Sequence, residues 1–295
     1  VRSAVAAIVL AACVLGGLVV ADRHHSPTAS HYVALQSLDY SRSADPTPAA
    51  SVLRQLAVTA DSQPASISSG WYYLETASWS TFTGSDASDL PAGMPNVLEQ
   101  WINPDGSQRV VNHVDLPAPA ARLKAWLSAG LPLTGGKVEV NTATAAQAQF
   151  PANLSTDPTT LETQLLDAEL GTDKADGPPT NVEILTALKD LRAARPIEPA
   201  LQAALLRVLA DQPGVLSLGT ATDRLGRVVD AIAIDSDYSG LATRYVLLFD
   251  PTDGQLLGTE DVLTKSAGSL DVPIPSVISY VIYVRDGHVR DSTST

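Results

Sequence analysis

The stretch that decides the fold is "VLSLGTATDRLGRVVDAIAIDSDYSGLATRYVLLFDPTDGQLLGTEDVL", residues 215–263. Apolar runs at 215–222, 228–234, 243–250 and 255–263 are separated only by short polar links. The runs are rich in Val, Ile and Leu, and the links carry Asp and Gly. Asp side chains bond their own backbone, and Gly supplies the left-handed geometry of a tight turn. No helix fits between the runs, so successive strands must pair antiparallel. A fifth run, "VISYVIYVR" at 277–285, extends the series. "VRDGHVR" at 284–290 reads as another turn.

Upstream the period changes. "STDPTTLETQLLDAEL" offers Asp157 as N-cap and Pro158 at the first helical position, with Leu161, Leu165 and Ala168 on one face. "TNVEILTALKDLRAAR" opens with Thr180 and Glu183, the spacing of a capping box, and carries Leu185, Leu188 and Leu191. "EPALQAALLRVLADQPG" places Leu201, Leu205, Val208 and Leu209 on one side and stops at Pro213-Gly214. Further upstream, "GWYYLETASWST" at 70–81 is a strand by its aromatic and β-branched content. "VLEQWI" and "RVVNHV" flank "NPDGSQ" as a hairpin, and a helix over 47–61 presents Leu53, Leu56 and Ala60. Strands, then helices, then an all-β run predict an α+β domain over residues 46–290. The expected sheet is mainly antiparallel with seven to nine strands, beside three to four helices.

The chain has 295 residues, 45% of them apolar, a net charge of −13 and a pI near 4.6. An acidic chain repels nucleic acid and anionic membrane surfaces, so neither is an expected partner. The only cysteine, Cys13, lies in the N-terminal apolar run, which leaves the rest without disulfides, thiol chemistry or Cys-type zinc sites.

That run, Ser3 to Ala21, is uncharged. Nineteen helical residues reach roughly 28 Å, close to a hydrocarbon core of about 30 Å. Three readings compete: a transmembrane anchor, a cleaved signal, and a lipoprotein signal based on "LAAC" at 10–13. The anchor is favoured because the apolar run continues past Cys13 into Asp22 without a cleavage-like break. Residues 1–21 are then a single-pass transmembrane helix in the cell membrane, and the bulk of the chain is extracytoplasmic. Residues 22–45, rich in Ser, Pro, Ala and Asp, read as a flexible tether, and 291–295 as a disordered tail. His24, His25 and His31 fall in the tether, which does not hold ligands at fixed geometry.

Few motifs suggest chemistry. "DSDYSG" supplies Asp235, Asp237, Ser239 and Gly240 in the order of a calcium loop, but Val246 stands where the bidentate Glu belongs. His113 and His288 are the only histidines outside the tether, and each falls beside a predicted turn. The expectation is no enzyme activity, no cofactor and no metal. Trp71, Trp79 and Trp101 fall on N-terminal strands and are candidate aromatics of a ligand groove; Trp126 completes the four tryptophans.

The order of the segments carries a resemblance. An apolar N-terminus, "SVLRQLAVTADSQP", "WYYLETASW", a W-x-x-P-D-G-S-x-R hairpin (Trp101 to Arg109), "LSTDPTTLETQLL", "LLRVLADQPGV", "TDRLGRVV" and "LLFDPTDGQLLG" follow one another across residues 48–265. In that order they resemble an actinobacterial family of single-pass membrane proteins of unknown biochemical function. Its members are often encoded beside extracytoplasmic-function sigma factors. The layout is also similar to the curved sheet of periplasmic lipoprotein carriers and of a periplasmic regulator of an anti-sigma factor. The anchor and the absence of a catalytic constellation point to a non-enzymatic sensing or regulatory module, and the resemblance implies a link to sigma-factor signalling with a protein partner in sigma/anti-sigma signalling. The alternatives are a carrier of lipid or another apolar ligand on a concave sheet face, and a hydrolase built around His113 or His288.

Overall fold

The computed structural model describes residues 35–42, 44–65, 70–81, 93–114, 137–144, 149–170, 179–268 and 272–294. The apolar run at 3–21 lies outside them, as does Trp126. Among the described residues no helix is long and apolar enough to cross a membrane.

The fold is α+β. The described strands are β1 (Thr47–Pro48), β2 (Trp71–Thr81), β3 (Gly93–Ile102), β4 (Gln108–Val114), β5 (Lys137–Ala143), β6 (Val215–Thr222), β7 (Val228–Ser236), β8 (Thr243–Phe249), β9 (Leu256–Leu263) and β10 (Ser276–Val289). They form one sheet in the order β1-β6-β7-β8-β9-β10-β2-β3-β4-β5. Each neighbouring pair is antiparallel. Two meanders, β6 to β10 and β2 to β5, are fused along β10 and β2. The helices are α1 (Ala50–Asp61), α2 (Pro158–Leu170), α3 (Thr180–Ala194) and α4 (Pro199–Asp211).

One face of the sheet packs against the helices. Leu74, Ile102, Ile232, Ile234, Leu247, Phe249, Leu256 and Tyr283 meet Leu53 and Leu56 of α1, Leu161 and Leu165 of α2, Leu185 and Leu188 of α3, and Leu205 and Leu209 of α4 in one core. Period-2 residues of the strands and period-3.6 residues of the helices supply the two sides of this layer. A second core lies on the far face of the sheet, with Trp79, Leu218, Val229, Val246, Val262, Tyr280 and Ile282.

The turn readings hold at "NPDG", "DRLG" and "PTDG", where Gly106, Gly226 and Gly254 take φ of 85°, 91° and 75°. They fail at "VRDGHVR": Arg285 to Val289 continue β10 and pair with Trp71 to Glu75 of β2, after a bulge past Tyr283. The local Asp-Gly signal is overridden by the pairing of a long strand. The capping box of α3 does not form either. Pro179 is the N-cap without a side-chain bond, and its carbonyl accepts the Val182 and Glu183 N–H groups. Glu183 is buried instead. Among the described residues the sheet has ten strands, more than expected, because Lys137–Ala143 pairs with β4 and Thr47–Pro48 with β6.

Between α2 and α3 sit the carboxyls of Glu169, Glu183 and Asp190. Gln149 donates to Glu169 (2.8 Å). Burial, then Asp190 and Glu183, pushes the Glu169 carboxyl up to about 8. Burial raises Asp190 to about 6. The folded chain therefore keeps protons that the unfolded chain releases near 4.5 and 3.8. Folding takes up protons in that window, so stability falls as pH rises from about 4 toward 8. We expect a higher melting temperature at pH 5 than at pH 8, with Glu169→Gln flattening the slope. A melting temperature that rises over this range in the parent contradicts the assignment.

Candidate functional site

Residues 35–42, within the stretch read as tether, are not free of the fold. From Leu35 onward the stretch read as tether lies across the far face of the sheet. Leu35 O accepts the Val277 N–H of β10 (2.9 Å). Ser41 N and Arg42 N donate to Thr220 O and Leu218 O of β6 (2.9 and 2.8 Å). Between β6 and β10 lie four strand spacings, about 19 Å at about 4.8 Å each. The six residue steps from Ser41 back to Leu35 cover about 20 Å at about 3.3 Å each when extended. The strap therefore reaches from β10, which it meets in an antiparallel bridge at Leu35, to β6.

At its centre is Glu260 of β9, whose residue surface is 1% exposed. It sits on the same side of β9 as Gly258 and Val262, where apolar residues pack. A carboxylate there needs partners. Tyr40 OH donates to Glu260 Oε2 (2.7 Å), and the Leu38 N–H approaches the same oxygen (3.4 Å). Arg224 Nη2 donates to Glu260 Oε1 and to Gln36 O (3.1 Å). The Arg224 guanidinium lies 4.6 Å above the ring of Tyr280, and Tyr280 stacks on Trp79 (centroids 6.2 Å apart, 17° between planes). Burial first, then Glu260, raises the Tyr40 hydroxyl above its ordinary value, so it stays a donor.

The "DRLGR" turn builds this seat. Asp223 Oδ1 accepts the Leu225 and Arg227 N–H groups and shapes the turn (2.9 and 2.8 Å). Its Oδ2 orients Arg227 (2.7 Å), which donates to Tyr283 O and Leu257 O (2.8 and 3.0 Å). One turn thus anchors β9 and β10 through Arg227 and the strap through Arg224. Gly219, at φ 79° beside a bulge in β6, makes room for the strap. A Cβ there would lie 2.2 Å from Ser41 Oγ and 2.9 Å from Arg42 Cγ.

The tryptophans singled out in the sequence share this far face. Trp79 is in the seat. Trp101 packs on Tyr73 (5.2 Å between centroids) beneath the Arg109 guanidinium (4.6 Å), and its Nε1 donates to Ser294 O (2.6 Å). Arg109 Nη1 donates to Ser292 O (3.2 Å), so the C-terminal residues lie against β3 and β4. Trp71 is half-buried beside that cluster.

The two histidines are far apart in chemistry. His113 Nε2 lies 3.0 Å from Glu99 Oε2, and Tyr73 OH donates to Glu99 Oε1 (2.9 Å). The hydroxyl meets the carboxylate and not the imidazole, which is the reverse of a nucleophile–base pair. His288 packs against Tyr72 on the helix face (5.4 Å). Beside it Arg192 of α3, 2% exposed, donates to Tyr72 OH (2.7 Å) and faces Asp286 (2.9 Å), to which Tyr72 OH donates. In the "DSDYSG" loop both oxygens of Asp235 are taken by Arg244 (2.7 and 2.8 Å), and Gly240 has φ 90°.

Glu260, Arg224 and Tyr40 were not singled out in the sequence. One signal was present: a Glu on the apolar side of "LLGTEDVL", opposite no adjacent cation. No family model, curated protein or solved structure matches the chain.

Proposed function

We propose that the chain is a membrane-anchored, non-enzymatic sensing or regulatory module. Residues 3–21 form a single transmembrane helix, and the α+β domain stands outside the membrane. The observation that carries this reading is the strap. Residues 35–42, on the side of the domain toward the apolar run in sequence, are held on the sheet by a buried carboxylate, an arginine and a tyrosine, so that end of the domain is fastened in place. Its ionisable side chains also serve structure: Glu260 takes Tyr40 and Arg224, and Arg192 takes Tyr72 and faces Asp286. The family resemblance makes a component of sigma/anti-sigma signalling the natural partner.

Placement is tested with an epitope after Thr295 in the full chain. External protease on intact cells is expected to remove the epitope, while the membrane fraction retains the chain through alkaline carbonate washing. An epitope protected until lysis, or a chain released by the wash, overturns the reading.

A further inference from the structure

We propose that the far face of the sheet from β6 to β10 is a peptide-binding groove. It takes an extended segment bearing a tyrosine, with aliphatic side chains two and five residues before it, and the strap fills it in cis. A partner protein presenting the same pattern is the occupant in trans. The inference does not depend on where the domain resides.

The contacts define what the groove reads. Its specific element is Glu260, which accepts the Tyr40 hydroxyl at 2.7 Å within a buried site. A phenylalanine leaves that carboxylate short of a donor. Arg224 takes the main-chain carbonyl of Gln36, four residues before the tyrosine. Leu218 O and Thr220 O take the next two N–H groups after it. These backbone contacts accept any side chain, as in strand-addition recognition. Leu35 and Leu38 pack half-buried against Trp79, Tyr280 and their neighbours. Gln36 and Asp39 are exposed and place no demand on the sequence, whereas Ser41, though exposed, accepts the Thr220 N–H with its Oγ (2.8 Å) and lies with Arg42 over Gly219.

The occupant is separable from the fold. None of residues 35–42 belongs to the core between helices and sheet; Tyr40 is buried in the far-face cluster alone, with Leu35 and Leu38 packed on it. A segment held on one face of a sheet can open locally while the helix-side core stays closed. Opening uncovers Trp79, Leu218, Val262 and Tyr280 as a contiguous apolar strip, a surface that proteins cover by binding.

The test uses the full chain in detergent micelles and a fluorescent peptide with the sequence of residues 33–45. The parent, its groove filled, is expected to bind the peptide weakly. The Tyr40→Ala chain, its own strap loosened, is expected to bind saturably and at least tenfold more tightly than the parent. The peptide carrying Tyr40→Phe is expected to bind about tenfold more weakly, the loss of one hydrogen bond to a charged group. Adding Glu260→Gln to the Tyr40→Ala chain should remove most of that difference. If Tyr40→Ala does not melt cooperatively, the Tyr40→Phe chain, which loses only the hydroxyl, takes its place. No saturable binding by a cooperatively melting variant, or equal binding of the tyrosine and phenylalanine peptides, overturns the proposal.

Discussion

Arg192→Ala is expected to lower the stability of the domain by about 3–5 kcal/mol, the range for breaking a buried charged pair from one side. Arg192 comes from α3 and is enclosed between the helix layer and the sheet. It donates to Tyr72 OH of β2 at 2.7 Å, faces Asp286 of β10 at 2.9 Å, and lies 4.8 Å above the ring of Tyr283. Truncation leaves Asp286 without its cation, takes the donor from a buried tyrosine and opens a cavity under α3. Arg192→Lys keeps the charge but not the fork, and should recover only part of the loss. Replacing both charges, Arg192→Met with Asp286→Leu, should cost less than Arg192→Ala alone, since no charge is stranded. Urea unfolding of the three variants checks the order. A double variant less stable than Arg192→Ala contradicts the account.

Gly254→Val should cost about 2–5 kcal/mol, combining left-handed backbone strain with overpacking. Gly254 holds φ 75° in the β8–β9 turn. A Cβ there meets Leu206 Cδ1 at 3.0 Å, Leu56 O at 3.1 Å and Ala60 Cβ at 3.3 Å, so α1 and α4 both stand in its way. The Gly254 carbonyl also accepts the buried Gln202 Nε2 (2.7 Å), which ties the turn to α4. Asp253 only caps the turn by accepting the Gln255 N–H (2.9 Å), so Asp253→Ala should cost about 0.5–1.5 kcal/mol, one hydrogen bond. Thermal melts that reverse this ranking, or that show calcium-dependent stabilisation lost with Asp253, make the loop a ligand site and not a turn.

Elements written in local pattern were legible. The meander from β6 to β9 follows from apolar runs with Asp-Gly links, and α2, α3 and α4 follow from leucines at helical spacing. Asp157 caps α2 as expected, accepting the Thr160 N–H at 2.9 Å. What failed was decided at long range. "RDGH" has the composition of a turn, yet Asp286 and Gly287 pair with Leu74 and Tyr73 in the centre of the sheet. Lys137–Ala143 is a strand through its pairing with β4, although Val138 and Val140 are exposed. The seat was hidden for the same reason. Tyr40 and Glu260 are 220 residues apart in sequence, and Ser-, Pro- and Ala-rich composition around Tyr40 reads as solvated chain. Only sheet order brings Tyr40, Arg224 and Glu260 together. The histidines and carboxylate pairs stand out by residue type, whereas the strap is recognisable only by where it lies.

The central claim is that residues 35–42 are seated on the sheet, and hydrogen exchange of the full chain tests it most directly. In the parent the Ser41 and Arg42 amides, bonded to Thr220 O and Leu218 O, should exchange more slowly than free chain, as local structure demands. Gly219→Val places a side chain where Ser41 and Arg42 lie. That variant should bring residues 35–42 to free-chain exchange while the β7–β8–β9 ladder keeps its protection. Free-chain exchange of Ser41 and Arg42 in the parent, or unchanged protection of the strap in a folded Gly219→Val chain, contradicts the account.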